Sequence, residues 1–116
     1  GPEPPHNWCY YFEKAELYGQ MGEWQKAAEA ADKALKITKH FTDKNVSELL
    51  PFVEAYAHTG NWEKAVSLSL QAYQIWDKTQ YPLCDVWLRI LATTEPSQER
   101  QAAVEKIKNN LNCRAP

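Results

Sequence analysis

A six-residue segment occurs twice in this chain. Gly22-Glu23-Trp24-Gln25-Lys26-Ala27 and Gly60-Asn61-Trp62-Glu63-Lys64-Ala65 superpose at an offset of 38 residues. The register continues on both sides, with Tyr18 matching Tyr56 and Glu16 matching Glu54 upstream, and Ala34 matching Ala72 and Ile37 matching Ile75 downstream. A repeat of this length confines the chain to architectures in which one small unit stacks on its copy, since a lone unit has nothing against which to bury its apolar face.

Within each unit the apolar residues fall at helical spacing. Trp8, Tyr11, Ala15 and Tyr18 form one stripe, followed by Trp24, Ala27, Ala28, Ala31 and Leu35. The second unit reads the same way, with Leu49, Val53 and Tyr56 before its glycine and Trp62, Ala65, Val66, Ser69, Ala72 and Tyr73 after it. Each unit is therefore expected to be a helical hairpin, with Gly22 and Gly60 at the turn, where a positive φ carries no Cβ penalty. Glu23 and Asn61 follow, where polar groups satisfy the free N–H groups of the next helix.

Residues 39–45 read as a polar linker. Pro51 is tolerated near a first turn and not in a helix interior, which places the start of the third helix around Val46 to Glu48, with Asn45 or Ser47 as its cap. Beyond Tyr81 the sequence no longer matches the repeat, yet it reads as two more helices, Cys84 to Thr93 and about Ser97 to Leu111. Ala103, Val104, Ile107 and Leu111 make one apolar stripe on the last helix, as a terminal unit covering an open apolar end requires. The expected organisation is a lead-in over 1–7, one domain over 8–111 and a tail over 112–116. Its hairpins are about 8–39, 46–78 and a degenerate 82–111. Gly1-Pro2 reads as the remnant of a cleaved expression tag, so a fragment of a longer protein is expected.

Charge and motifs narrow the function. Thirteen Lys+Arg against fifteen Asp+Glu leave a net charge of −2, without the concentrated basic face that neutralising several phosphates requires; no nucleic-acid partner is expected. The longest apolar run, Trp8 to Phe12, is far below the ~20 residues needed to span a bilayer, so no membrane insertion is expected. His6, His40 and His58 are dispersed, and no H-E-x-x-H, G-x-S-x-G or phosphate-cradling glycine loop occurs. His6 and Cys9 supply two metal ligands where a closed zinc site needs four. Neither catalytic residues, nor a metal, nor a cofactor is expected; an enzyme built on His6, Cys9 and Cys84 ranks last. Three cysteines, Cys9, Cys84 and Cys113, are an odd number at wide spacing and are read as free thiols. Most of the fourteen aromatic residues are expected to pack helices together, with Tyr10, Phe12 and Trp87 partly exposed.

The repeated residues resemble the tetratricopeptide repeat, a hairpin of about 34 residues with an aromatic early in its first helix, a small residue four positions on, then Tyr, Gly, an aromatic and two alanines seven apart. Those positions hold Tyr11, Ala15, Tyr18, Gly22, Trp24, Ala27 and Ala34, then Leu49, Val53, Tyr56, Gly60, Trp62, Ala65 and Ala72. The proline that usually ends the unit is replaced by Lys39 and Asp77, and Val53 exceeds the usual small residue. The segments Trp8 to Ala15 and Leu49 to Tyr56 are also similar to the soluble C-terminal tails of some large bacterial multi-pass membrane proteins of glycosyltransferase-like type.

The first resemblance implies an all-α, right-handed superhelical stack of about six helices, in which the first helices line a concave groove. The groove positions would be Cys9, Phe12, Glu16, Gly19 and Gln20, then Ser47, Leu50, Glu54, Ala57 and His58. Of these, Phe12, Glu16, Gln20, Leu50, Glu54 and His58 are the candidate binding residues. Family members that hold the acidic C-terminal tails of heat-shock chaperones carry Lys and Asn where this chain has Phe12 and Glu16. Carboxylate against carboxylate repels, so the expected partner is a protein or peptide bearing Lys or Arg and an apolar anchor. The alternative function is that of an accessory domain of a larger, membrane-bound protein, packing within its parent or self-associating.

Overall fold

A computed structural model describes residues 6–113, and these are all-helical, without a strand among them. Six α-helices follow in chain order: α1 (Trp8–Gln20), α2 (Trp24–Leu35), α3 (Leu50–His58), α4 (Trp62–Ile75), α5 (Gln80–Thr93) and α6 (Gln98–Leu111). Single 3₁₀ turns, Val46–Leu49 and Asp77–Thr79, lead into α3 and α5. The expected tag remnant at Gly1-Pro2 lies outside the described residues.

Local chemistry sets the helix ends. The Asn7 side chain accepts from the Tyr10 N–H at 3.1 Å, Asn61 from Lys64 at 3.3 Å and Ser97 from Arg100 at 3.0 Å, each satisfying one donor that a helix N-terminus leaves open. At the two repeat turns Gly22 and Gly60 take φ of +74° and +82°. The following N–H groups of Glu23 and Asn61 then close back onto the Tyr18 and Tyr56 carbonyls, both at 2.8 Å. An L-residue with a Cβ would be strained at either glycine.

The hairpins pack in sequence. α1 lies against α2, α3 against α4, and α6 along α4, while α3 contacts α1, α2 and α5. This puts α3 at the centre of the core, and Leu49, Phe52, Val53 and Tyr56 are accordingly buried. Five alanines of α2 are buried, and their small size lets neighbouring helices approach closely. Trp8 sits edge-on to both Phe41 and Phe52, so the linker is pinned to the core through Phe41.

Four expectations are corrected. The third helix does not wind as an α-helix from Val46. Pro51 has no N–H to offer the Ser47 carbonyl, and a 3₁₀ turn meets that need through the Leu50 N–H instead. α5 starts at Gln80, four residues earlier than expected, because Pro82 falls in its first turn, where the missing N–H costs nothing. Trp87, expected to be partly exposed, is buried, its indole N–H donating to Ser69 Oγ at 3.0 Å. Cys84 and Cys113, read as free thiols, form a disulfide with their Cα atoms 5.5 Å apart. The odd cysteine count is accommodated because Cys9 stays free and exposed. The return of α6 brings its end beside the start of α5, a proximity that spacing along the chain does not reveal.

Candidate functional site

One depression, of about 400 Å³, lies where α1, α3 and α5 run side by side. α1 contributes Glu16, Gly19 and Gln20, α3 contributes Pro51 and Glu54, and α5 contributes Arg89, with Trp24 at one end. Three of the six candidate residues, Glu16, Gln20 and Glu54, are thus brought together. Glu16 and Gln20 share a face of α1 one turn apart, and Glu54 is the counterpart of Glu16 one hairpin later.

The other three stand differently. His58 lies beside the depression, stacked on Trp24 with ring centroids 3.9 Å apart and planes 8° from parallel. Its Nε2 is 3.2 Å from Thr93 Oγ1. Burial holds its pKa below the ordinary imidazole value, opposed by the negative charge of Glu54. Phe12 is half-buried and packs edge-on against Phe52, and Leu50 is half-buried against the same core. These two form the apolar flank of the first-helix surface and do not line the depression.

The electrostatics depart from a purely acidic floor. Arg89 donates to Glu54 Oε1 at 2.6 Å, and this contact holds the guanidinium's pKa above its ordinary value. Glu54 is therefore compensated. Glu16 is exposed and makes no ion pair among the described residues, so it is the uncompensated carboxylate of the site. Sequence reasoning missed Arg89, Trp24 and Thr93 as part of this surface. Arg89 and Thr93 lie in the stretch where the repeat is lost, and no periodic signal marked them. Trp24 follows the turn glycine and was assigned to packing alone.

Among the described residues no group of three His, Cys, Asp or Glu side chains is placed to hold a metal ion. Cys84 is bonded to Cys113 and is not brought to His6 and Cys9. No described helix is long and apolar enough to cross a membrane. Comparison with family models, with curated proteins and with solved structures yields no match to this chain.

Proposed function

We propose that the chain is a non-catalytic interaction module of tetratricopeptide-like design, a right-handed stack of three hairpins whose first helices form the concave, ligand-binding side. The observation that carries this reading is the convergence of Glu16, Gln20, Glu54 and Arg89 from three separate helices on one depression. Such convergence gives a peptide contacts to every hairpin at once. In this reading a Lys or Arg of the partner meets Glu16, the residue whose charge has no internal counter-ion. An apolar side chain packs on the half-buried Phe12 and Leu50. The Glu54–Arg89 pair supplies a fixed polar wall and disfavours a strongly basic stretch, since Arg89 already holds the position next to Glu54.

A second reading, an accessory domain that packs within a larger polypeptide, is favoured by the disulfide. Such bonds persist in oxidising compartments, among them the extracellular and periplasmic faces on which a membrane-bound parent could display this domain.

Panning a random peptide display library against the disulfide-bonded chain tests the first reading. Selected peptides are expected to carry one Lys or Arg near an apolar residue and to lose at least tenfold in affinity against Glu16→Lys. Selection of peptides rich in Asp and Glu, or undiminished binding to Glu16→Lys, overturns it.

A further inference from the structure

Each later hairpin docks on the one before it through an aromatic side chain that donates a hydrogen bond to the preceding hairpin's second helix. Tyr56 donates to Asp32 Oδ1 of α2 at 2.5 Å, and Trp87 to Ser69 of α4. At the first of these junctions Lys64 completes the group, its ammonium 4.8 Å from the centre of the Tyr56 ring and 3.5 Å from Asp32. The 38-residue offset maps Tyr56 and Lys64 back onto Tyr18 and Lys26. That pair is already assembled in the first hairpin, with Lys26 5.7 Å from the centre of the Tyr18 ring. It lacks a carboxylate bonded to the tyrosine: the Tyr18 hydroxyl makes no hydrogen bond among the described residues, and Lys26 pairs with Glu23 of its own turn, at 3.2 Å.

The surrounding positions agree. Leu49, Phe52, Ala55 and Tyr56 are buried because α2 and α1 cover them. Of their counterparts, Tyr11, Lys14 and Tyr18 are only half-buried and Leu17 is exposed. Leu17 is 50% exposed where Ala55 is fully buried, and Met21, one turn on, is 60% exposed. A depression of about 330 Å³ runs along this seam of α1 and α2, walled by Tyr11, Tyr18, Lys14, Lys26 and Lys33, with His6 and Tyr10 at one end and the carboxylate of Glu29 on α2. Of its three lysines only Lys26 has a cationic counterpart, Lys64; Lys14 stands where the second hairpin has Phe52, and Lys33 where it has Gln71.

We propose that this outer face of the first hairpin is the docking site for one more amphipathic helix of the α2 type, small-sided and carrying a carboxylate at the place of Asp32. That carboxylate accepts from Tyr18 and pairs with Lys26, reproducing the Tyr56–Asp32–Lys64 group. A further acidic residue on the helix answers Lys14, which has no aromatic-sized pocket to fill. Leu17 and Met21 give it apolar cover. A folded second copy of the chain does not supply this helix from its own α2, since Asp32 there is already engaged by Tyr56. The inference is independent of what occupies the depression between α1, α3 and α5.

The test is a tandem chain in which residues 8–45 are repeated directly ahead of Trp8, so that an authentic α2 is presented through its native linker. The expected result is one cooperative unfolding transition, above that of the parent. Hydrogen exchange around Leu17 and Tyr18 of the inner copy should slow at least tenfold. Asp32→Asn in the added copy, or Tyr18→Phe in the inner copy, should remove most of that protection. In the parent chain Tyr18→Phe should change little, which separates docking from folding. A separate melting of the added hairpin with unchanged exchange at Leu17 and Tyr18 overturns the proposal. So does protection that ignores Asp32→Asn. Concentration-dependent protection of this face in the parent chain, with a dimer in sedimentation, would show a second copy as the occupant and would also overturn it.

Discussion

The two junctions between hairpins solve the same packing problem with different chemistry. At the first, a buried tyrosine reaches a carboxylate that is half exposed, and a lysine closes over both. His58 stacked on Trp24 closes the edge beside the depression of α1, α3 and α5. At the second, Trp87 bonds to Ser69, whose own hydroxyl donates to the Ala65 carbonyl at 2.8 Å, entirely within the core. A covalent bond between Cys84 and Cys113 then ties the last helix down. The Tyr56 group of the first junction is thus tuned by charge and pH, whereas the second sets a buried Trp87–Ser69 bond beside the exposed Arg89–Glu54 pair, with the disulfide closing the third hairpin itself. A terminal hairpin with fewer apolar neighbours gains from a covalent tether, whereas an internal one is held from both sides.

The largest expected effect separates them directly. Replacing both Cys84 and Cys113 by serine frees a loop with a sequence separation of 29 residues. On the loop-entropy account this costs about 3–4 kcal/mol. Denaturant titration under oxidising and reducing conditions measures it, and hydrogen exchange should show α6 opening before α1 to α4.

Tyr56→Phe comes next. Losing a hydrogen bond to a charged acceptor costs about 1.5 kcal/mol, and the effect of a second change, Lys64→Met, should shrink in the Tyr56→Phe background. Trp87→Phe should cost about as much, yet the Tyr56–Asp32–Lys64 group should weaken with added salt while the Trp87–Ser69 bond, which joins two uncharged groups, should not.

Two titrations sharpen the contrast further. Tyr56 has its pKa pushed well above the ordinary phenol value, first by burial and then by its bond to the negatively charged Asp32. Its contribution is therefore present below pH ~10 and lost as the unfolded tyrosine ionises above it. Tyr56→Phe should flatten this alkaline decline. His58, held below its ordinary pKa, stabilises the fold when neutral. Stability should fall as pH drops below ~6.5, and His58→Gln should reduce that slope in pH-dependent thermal melts. The smallest effect is that of Arg89→Gln. With Arg89 largely exposed, its pair with Glu54 is worth less than ~1 kcal/mol, so this change should alter ligand preference while leaving the melting temperature nearly unchanged.

Much of the fold was legible because the repeat writes it down twice. The turn glycines, the alanine face of α2 and the cap at Asn61 follow from spacing and from the needs of helix ends. Legibility fails where the chain stops repeating. Trp87 looked like a surface aromatic because α5 has no sequence counterpart to show which of its faces is covered. The disulfide escaped because Cys84 and Cys113 meet only through the return of α6. The candidate site was half legible: Glu16, Gln20 and Glu54 are expected from the tetratricopeptide resemblance, whereas the partner of Glu54 comes from the unrepeated helix. The turn before α3 shows a third limit. Proline was recognised as an early-helix residue, but the tighter winding that its missing N–H enforces depends on which carbonyl must be satisfied.

The central claim is that the depression between α1, α3 and α5 is the binding surface. An isotope-labelled sample of the disulfide-bonded chain, titrated with a library-selected peptide carrying one basic and one apolar anchor, tests it by chemical-shift mapping. The account predicts saturable shifts at Glu16, Gln20, Glu54 and Arg89 and at the Trp24 indole. Shifts confined to the far side of α4 and α6, with those residues unmoved at saturation, would contradict it.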